Sequence, residues 1–233
     1  RDVVFTSGGT ESNALGFLGA AATSRGRHLV VTAIEHPAVL RSAARLAREG
    51  YELALVEPHA TAVVSADAVV AAVRPDTAAV AVMLVNNELG TIQPVQDVAR
   101  GLRAQGFRAH VHVDAVQAAG CGPLDVRTLG ADSVALSGHK IHGLQGTGAL
   151  WVRAGARLRP LWDGGRQERG LRSGTENVPG WVALGHAACL GRQHLPDAGS
   201  VAALRDQLEG LVCETIAGAR PTVPEAMRAA HIT

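Results

Sequence analysis

The sequence predicts an α/β fold whose mostly parallel sheet is flanked by helices. Apolar runs rich in valine recur along the chain and alternate with stretches of helical periodicity. The runs are almost continuously apolar, which is typical of strands buried on both faces. In such sheets ligands bind at the carboxyl ends of the strands. The polar residues at those ends are therefore the ones to examine for function.

Seven strands are predicted, each from an apolar run bounded by turn-forming residues. They are Val3–Thr6, His28–Ala33, Leu53–Val56, Ala78–Val85, Ala109–Asp114, Ser133–Ser137 and Gly148–Val152.

Helices are predicted between most of the strands from their apolar faces. Pro37 suits the first turn of one helix, because its missing N–H would have no partner there in any case. Two apolar faces define the clearest helices, Ala14, Leu15, Leu18, Ala21 and Ala22 in one, and Val95, Val98, Ala99 and Leu102 in the other.

The composition excludes some classes of function. The chain has 233 residues, 47% of them hydrophobic, and a formal net charge of +1. Charge therefore indicates neither a nucleic-acid nor a membrane partner. The longest apolar run, Ala78–Val85, is too short to span a bilayer. The three cysteines are widely spaced and form no CxxC pair, which favours a reducing compartment and predicts a cytoplasmic protein.

The stretch FTSGGTESN (5–13) runs from a strand through two glycines into a helix. Glycines allow close approach of the backbone, and a helix start offers free N–H groups to an anion. Gly9 and Thr10 are therefore candidates for a phosphate cup. An ordinary turn in which Thr10 caps the helix explains the stretch equally well.

The stretch SGHKIHG (137–143) places Lys140 directly after a predicted strand. Lys140 is the only lysine of the chain. A lysine becomes a Schiff-base nucleophile when desolvation or a neighbouring cation lowers its pKa. We expect the strand end and His139 to provide both effects, and we expect Gly138 and Gly143 to leave room for a bound ring.

Further polar residues end other strands, and they allow two interpretations. His36, Asn87, Asp114 and Gln117 follow apolar runs, and a carboxylate at the end of a buried strand usually has a partner. Strand alternation also puts His110, His112 and Asp114 on one face, as a zinc hydrolase would require. Histidines on a sheet face are, however, more often part of the core.

The stretch GGRQERGLRSGTENVPG (164–180) packs Arg166, Arg169 and Arg172 into a glycine-rich loop before a helix. Arginines at this density suit recognition of carboxylates or phosphates. A solvated run of charges is the alternative.

Taken together, these motifs closely resemble the group I cysteine desulfurases, of class V of the aminotransferase superfamily. The resemblance rests on FTSGGTESN, EHPAVL, VNNELGTIQP, HVDAVQAAG, SGHKIHG and ERGLRSGTENVPG, which cover residues 5–180 in the family's order. It implies the large domain of a type I pyridoxal-5'-phosphate (PLP) transferase. It also implies that residues 1–195 form this PLP-binding domain without its N-terminal segment, and that residues 196–233 begin an incomplete small domain.

The resemblance implies a role for each candidate. Lys140 would carry the cofactor aldehyde and move the substrate proton, and His36 would stack on the ring and assist acid–base steps. Asp114 would pair with the pyridine nitrogen and Gln117 with the ring hydroxyl. Asn87 would lie near the ring hydroxyl and the substrate carboxylate. The remaining assignments are Gly9, Thr10, Ser137 and His139 as phosphate contacts, Thr175 as a contact to the phosphate of a partner subunit, and Arg172 as a member of the substrate pocket.

The implied enzyme is a homodimeric sulfur transferase. It converts L-cysteine to L-alanine and leaves the sulfur as an enzyme persulfide for an acceptor or scaffold protein of iron–sulfur cluster assembly or thiolation. The family's nucleophilic cysteine lies on a loop of the small domain, and Cys121, Cys189 and Cys213 do not match that loop. We therefore expect this chain alone to bind cofactor without forming a persulfide.

Three other interpretations remain. One is a different class V lyase, such as a selenocysteine lyase. Another is a metal-dependent hydrolase that uses His110, His112 and Asp114. The last is a non-catalytic remnant that only dimerises or binds a partner.

Overall fold

The computed structural model describes residues 2–194, 198–223 and 226–233. Within these residues seven strands form one sheet, and the α/β prediction is confirmed. The strands are β1 (Val3–Thr6), β2 (His28–Thr32), β3 (Glu52–Val56), β4 (Thr77–Ala81), β5 (His110–Asp114), β6 (Ser133–Ser137) and β7 (Gly148–Val152). The helices are α1 (Gly9–Ala21), α2 (Pro37–Arg48), α3 (Ala66–Ala72), α4 (Val95–Ala104), α5 (Val178–His194) and α6 (Ala198–Thr215).

The strand order is β1-β7-β6-β5-β4-β2-β3. The pairs β2–β3, β2–β4, β4–β5 and β5–β6 are parallel. Strand β7 runs antiparallel to both of its neighbours, β1 and β6. Because β7 reverses direction between them, the carboxyl ends of β1, β5 and β6 all lie at the same edge of the sheet.

The fourth strand is shorter than predicted, since it ends at Ala81 rather than Val85. The Met83 amide donates to the buried carboxyl group of Glu35 instead of a neighbouring strand. Val85 forms an isolated antiparallel bridge with Ile92. The Val82 and Leu84 amides still donate to the His112 and Asp114 carbonyls of β5. The apolar run therefore stays buried against β5 beyond the end of the regular strand.

Helix α1 is buried on more sides than its predicted apolar face implied. Leu15 and Ala21 are buried, but Ala22 lies beyond the last turn and is exposed. Small residues let α1 approach the sheet closely: a Cβ on Gly16 would lie 2.4 Å from the His112 ring. The helix cap is Gly8 rather than Thr10, so the capping interpretation of Thr10 is wrong.

Helix α4 buries its predicted apolar face completely. Val95, Val98, Ala99 and Leu102 belong to the core, where they pack among residues of the sheet. The regular spacing of these positions, with charged residues between them, made this helix predictable.

The C-terminal helices do not test the predicted domain division. The boundary between residues 195 and 196 lies outside the described residues. Helix α6 exposes its apolar residues Leu204, Leu208 and Leu211. In the described segments no helix combines the length and apolarity that crossing a membrane requires.

Candidate active site

A cavity of about 300 Å³ opens at the carboxyl edge of β1, β5 and β6. We call it the strand-end cavity. Its walls include every predicted site residue except Arg172 and Thr175. The lining consists of Gly9, Thr10, Asn13, His36, Met83, Asn87, Asp114, Val116, Gln117, Ser137, His139 and Lys140. The fold therefore collects residues from five separate motifs at one place, and their individual roles stay predictions.

Asp114 is the buried acid of this cavity. It ends β5, and its side chain accepts hydrogen bonds from Asn13 Nδ2 at 2.7 Å and from the Val116 amide at 2.9 Å. Burial raises the pKa of Asp114, while these two hydrogen bonds and the nearby His36 act to lower it. Asp114 is thus a desolvated carboxyl group that gains from a cationic partner.

The start of α1 forms one wall of the cavity. Gly8 has a φ of 154°, a conformation that side-chain-bearing residues rarely adopt. Its carbonyl accepts from the Ser12 amide at 3.0 Å, which leaves the amides of Gly9 and Thr10 without intrahelical acceptors. Free amides at the positive end of a helix suit an anion.

Ser137 and His139 extend this polar wall from the end of β6. Ser137 Oγ and His139 Nδ1 are 2.8 Å apart and within hydrogen-bond distance. Ser137 is buried and His139 is exposed. Together with the α1 amides, they offer several hydrogen-bond donors around one part of the cavity.

Lys140 lies in a short 3-10 turn, Gly138–Ile141, directly after β6. Its side chain is exposed, so the expectation that the strand end desolvates it is wrong. The expectation for the flanking glycines is also wrong. A Cβ on Gly138 would lie 2.2 Å from Thr147 Oγ1, and one on Gly143 would lie 2.9 Å from the Gly138 carbonyl oxygen. These glycines permit tight packing of the turn rather than space for a ring.

His36 both caps a helix and lines the strand-end cavity. Its Nδ1 accepts from the Ala38 amide at 3.1 Å and caps α2. The same half-buried ring lines the strand-end cavity. Because Nδ1 accepts, a neutral His36 ring carries its proton on Nε2.

Asn87 lies on the loop after β4, and hydrogen bonds of its neighbour Asn86 hold that loop in place. The Asn86 side chain accepts from the Glu88 and Leu89 amides at 3.0 and 2.8 Å and donates to the Ile34 carbonyl at 3.0 Å. Buried Asn86 therefore holds the turn, and half-buried Asn87 faces the cavity.

The metal interpretation of the β5 histidines is not supported. Among the described residues, no group of three or more His, Cys, Asp and Glu side chains is arranged to hold a metal ion. His112 and His110 instead hydrogen-bond Ser133 Oγ, each at 2.8 Å. Burial lowers the pKa of His110 to about 4 and that of His112 to about 3, so both rings are neutral at pH 7.

Arg172 and Thr175 lie outside the lining. Arg172 pairs with Glu11 through a 2.9 Å Nε–Oε1 contact, which joins the glycine-rich loop to α1. Thr175 is exposed. A partner-subunit role for Thr175 therefore stays a prediction.

Two buried residues near the cavity were missed by sequence reasoning. Asn13, which contacts Asp114, lies one helical turn after Gly9, and this spacing was the available signal. Glu35 precedes His36 and has an oxygen, Oε2, with no hydrogen-bond partner among the described residues. Burial raises the pKa of Glu35 to about 8.

The three cysteines contribute nothing to the lining of the strand-end cavity. All lie in the described part of the chain, and all are free thiols. Cys121 is near His231, with 3.6 Å between Sγ and Nε2.

A lysine, a buried acid and a glycine-led helix start around one strand-end cavity are typical of α/β enzymes that bind a phosphate-bearing cofactor. The model of the aminotransferase class-V family matches residues 1–215. The chain therefore belongs to that family. It is 44% identical over 209 residues to cysteine desulfurase 2 of Trichormus variabilis, an alignment that covers 89% of this chain and 52% of the relative.

Solved structures agree with this placement. A NifS-like protein superimposes with a TM-score of 0.93 at 38% identity, over 98% of this chain and 63% of the other. A structure of SspA in complex with cysteine gives a TM-score of 0.83 at 35% identity, over 97% and 64%. The chain spans about half the length of the curated relatives it matches.

Proposed function

We propose that this protein is a pyridoxal-phosphate-dependent cysteine desulfurase. Its reaction takes L-cysteine and an enzyme thiol to L-alanine and an enzyme persulfide. The observation that carries the proposal is the strand-end cavity, which joins Lys140, Asp114 and the start of α1. The relative named cysteine desulfurase 2 and the SspA structure in complex with cysteine support the choice of substrate.

The residues present fit pyridoxal phosphate. The free amides of Gly9 and Thr10, with Ser137 and His139, would hold its phosphate group. Asp114 would hold the proton on the pyridine nitrogen, since a buried carboxylate gains from a cationic partner. When bound, this cofactor supplies an electron-withdrawing ring that stabilises negative charge at the substrate carbon.

The reacting groups of the chain itself are Lys140 and His36. The Lys140 amine would hold the cofactor aldehyde and later accept and return the proton of the substrate α-carbon. His36 would lie over the ring and assist proton transfer. Its Nε2 is the nitrogen left for this purpose, because Nδ1 is used by the Ala38 amide.

Other lining residues would orient the ligands. Gln117 would hydrogen-bond the ring hydroxyl, and Asn87 would lie between that hydroxyl and the substrate carboxylate. Arg172 would contribute to the substrate pocket indirectly. Its guanidinium pairs with Glu11, and this pair would hold the glycine-rich loop in place beside the pocket.

The sulfur-accepting thiol is proposed to come from a residue other than Cys121, Cys189 or Cys213. All three lie outside the cavity lining, and burial raises the pKa of Cys121, which disfavours its reactive thiolate. These 233 residues are accordingly proposed to bind the cofactor without forming a persulfide by themselves. A separate acceptor or scaffold protein would collect the sulfur for cluster assembly or thiolation.

We also propose a homodimer in the cytoplasm. Exposed Thr175 would reach the phosphate of the partner subunit, and the neighbouring residues Val178 and Val182 expose 56% and 68% of their surface. Apolar exposure of this size at a helix start suits a contact between subunits. The free thiols of all three cysteines are compatible with a reducing compartment.

The decisive experiment uses the single lysine of the chain. Purified protein is mixed with pyridoxal phosphate, its visible absorbance is recorded, and borohydride is added before peptide mass spectrometry. We expect a coloured protein and a reduced cofactor attached to the Lys140 peptide. The Lys140→Arg variant keeps the charge but has no condensing amine, so it must stay unlabelled. A colourless wild type, or label that persists in Lys140→Arg, overturns the proposal.

A second measurement concerns the thiol. Sulfide release from L-cysteine by the 233-residue protein is followed in the presence of a reductant. We expect none above that of the Lys140→Arg variant. Release that depends on Lys140 would show that one of the three cysteines present is competent.

A further inference from the structure

A continuous chain of hydrogen bonds, buried except at its partly exposed His110 end, runs behind the strand-end cavity. His110 Nε2 and His112 Nδ1 each lie 2.8 Å from Ser133 Oγ. His112 Nε2 lies 2.9 Å from Asn13 Oδ1, and Asn13 Nδ2 lies 2.7 Å from Asp114 Oδ2. The chain joins three elements, β5, β6 and α1, and ends on the acid of the cavity.

The direction of these hydrogen bonds follows from the charge of Asp114. An ionised carboxylate only accepts, so Asn13 must donate through Nδ2 and present Oδ1 to His112. His112 must then carry its proton on Nε2. Because its ring is neutral, Nδ1 accepts from Ser133 Oγ, whose single proton is now used. His110 must therefore donate to Ser133 through Nε2.

A proton on Asp114 would reverse the whole chain. Asp114 would donate to Asn13 Oδ1, the Asn13 amide would turn towards His112, and His112 would carry its proton on Nδ1 instead. The protonation state of Asp114 and the tautomer of His112 are thus linked. In either direction every group of the chain has a hydrogen-bond partner. If only part of the chain reversed, one buried group would lose its partner, which is costly.

We propose that Asn13 and His112 are positioning residues for Asp114, and that the chain from His110 to Asp114 aims this carboxyl group at the cavity and couples its charge to the tautomer of His112. The inference rests on the proposed cofactor, whose ring nitrogen Asp114 would face. It goes beyond the direct contacts of that cofactor, because none of His110, His112 and Ser133 lines the cavity.

The close packing of His112 makes it suited to this role. A Cβ on Gly16 would lie 2.4 Å from its Nδ1, and the Phe17 ring centre is 6.5 Å away at a tilt of 49°. The imidazole is fully buried. Its orientation is therefore fixed by helix α1, and Asn13 on the same helix accepts the hydrogen bond from its Nε2.

The first test reads the His112 tautomer in cofactor-free protein by two-bond 1H–15N NMR at pH 8. We expect Nε2–H in the wild type and Nδ1–H in Asp114→Asn. In that variant the Val116 amide needs an oxygen at the Oδ1 position, so the new amide group faces Asn13 as a donor and reverses the chain. His28, paired with Thr77, should keep its tautomer in both proteins.

An identical His112 tautomer in wild type and Asp114→Asn, or Nδ1–H in the wild type, overturns the proposal. This readout does not require the cofactor. A wild-type protein that shows the expected tautomers yet binds no pyridoxal phosphate would instead refute the proposed function.

The second test measures the dissociation constant of pyridoxal phosphate and the pH dependence of the bound cofactor's absorbance. His112→Phe keeps a flat ring but cannot donate to Asn13, and we expect binding about 10-fold or more weaker with a shifted absorbance profile. His112→Gln can donate through its amide and should recover most of the affinity. Exposed His186→Gln is the control variant. Equal affinities and profiles in His112→Phe and His112→Gln overturn the positioning role.

Discussion

Arg172 and Glu11 form an ion pair that joins the glycine-rich loop to the first turn of α1. The Arg172 Nε–Glu11 Oε1 distance is 2.9 Å, and the Glu11 side chain keeps only 9% of its surface exposed. The other Glu11 oxygen accepts from the Ser7 amide at 2.8 Å. One carboxylate therefore fixes the loop, the end of β1 and the helix start relative to one another.

Arg172→Gln should lower the free energy of unfolding by about 1 kcal/mol at pH 7, because Glu11 loses its charged partner. Burial raises the pKa of Glu11, but the hydrogen bonds from Arg172 and Ser7 outweigh it and leave the pKa below the usual value. Stability from this pair is present above the unfolded-state pKa and is lost as pH falls through the folded one. Urea titrations at a series of pH values below 7 should show the difference shrinking as Glu11 becomes protonated in the folded protein. Exposed Arg166→Gln is the control.

Asp132→Asn should destabilise the protein by about 3 kcal/mol at pH 7. Buried Asp132 accepts from Arg103 Nη2 at 2.7 Å, from Arg153 Nε at 2.8 Å and from the Val111 amide at 2.8 Å. Burial raises its pKa, and these partners outweigh that effect to lower it. The difference between variant and wild type should therefore shrink as the pH is lowered through the folded-state pKa.

Denaturant unfolding followed by circular dichroism measures this effect. The exposed pair of Asp125 and Arg127 provides the comparison, and Asp125→Asn should change little. A loss of stability in Asp132→Asn that is the same at every pH would contradict the ion-pair explanation.

Glu35 should make the folded protein less stable as the pH rises, which is the opposite of the effect of Glu11 and Asp132. Glu35→Gln should remove this contribution. Burial, followed by the charge of Asp114, raises the pKa of Glu35 to about 8. Between the unfolded-state value and this one the folded protein holds a proton that the unfolded chain has lost. The wild type should therefore lose about 1.4 kcal/mol per pH unit across that window through Glu35 alone. The Gln variant should have a flatter profile.

Unfolding free energies between pH 5 and pH 8 provide the measurement for Glu35→Gln. Exposed Glu176→Gln should retain the wild-type slope. If both variants show the wild-type slope, Glu35 is ionised in the folded protein and finds a partner for its second oxygen.

Gly16→Ala should destabilise the protein by about 1 to 3 kcal/mol, since the added methyl group must displace the His112 ring or helix α1. Gly185→Ala is the matched control. It also lies within a helix, but no described atom is within 4 Å of its added Cβ. There the better helix propensity of alanine should leave stability unchanged or raise it by about 0.5 to 1 kcal/mol. Thermal unfolding of both variants distinguishes close packing from a general effect of glycine.

Local patterns in the sequence predicted most of the strands and where they end. Apolar runs bounded by turn-forming residues located β5 and β6, and so placed Asp114 and Lys140 at the same edge of the sheet. Placing both residues at one edge requires only that β5 and β6 are parallel, because the carboxyl ends of parallel strands lie at the same edge. The exposure of Lys140 was not predictable in this way, because it depends on which distant segments cover the turn.

The hydrogen-bond partners were beyond the reach of the sequence for a related reason. Asn13 and Asp114 are 101 positions apart, and no local period links them. The shared face of His110, His112 and Asp114 was inferred correctly from strand alternation. The chemistry of this face depends on Asn13 and Ser133 from neighbouring elements, which hydrogen-bond the histidines that the alternative interpretation assigned to a metal.

Because β7 runs antiparallel to β6, the connection between them lies at the carboxyl edge of the parallel strands. The two edges of the sheet therefore differ in how well they tolerate inserted residues. Residues 138–147 leave β6 and enter β7 at the edge that holds the strand-end cavity. Lengthening this connection would move Lys140 itself. The connections that precede the parallel strands, such as Gly106 before β5, lie at the other edge. Extra residues there would leave the cavity intact, whereas the connections that leave the carboxyl edge supply much of its lining, and one of them carries Lys140.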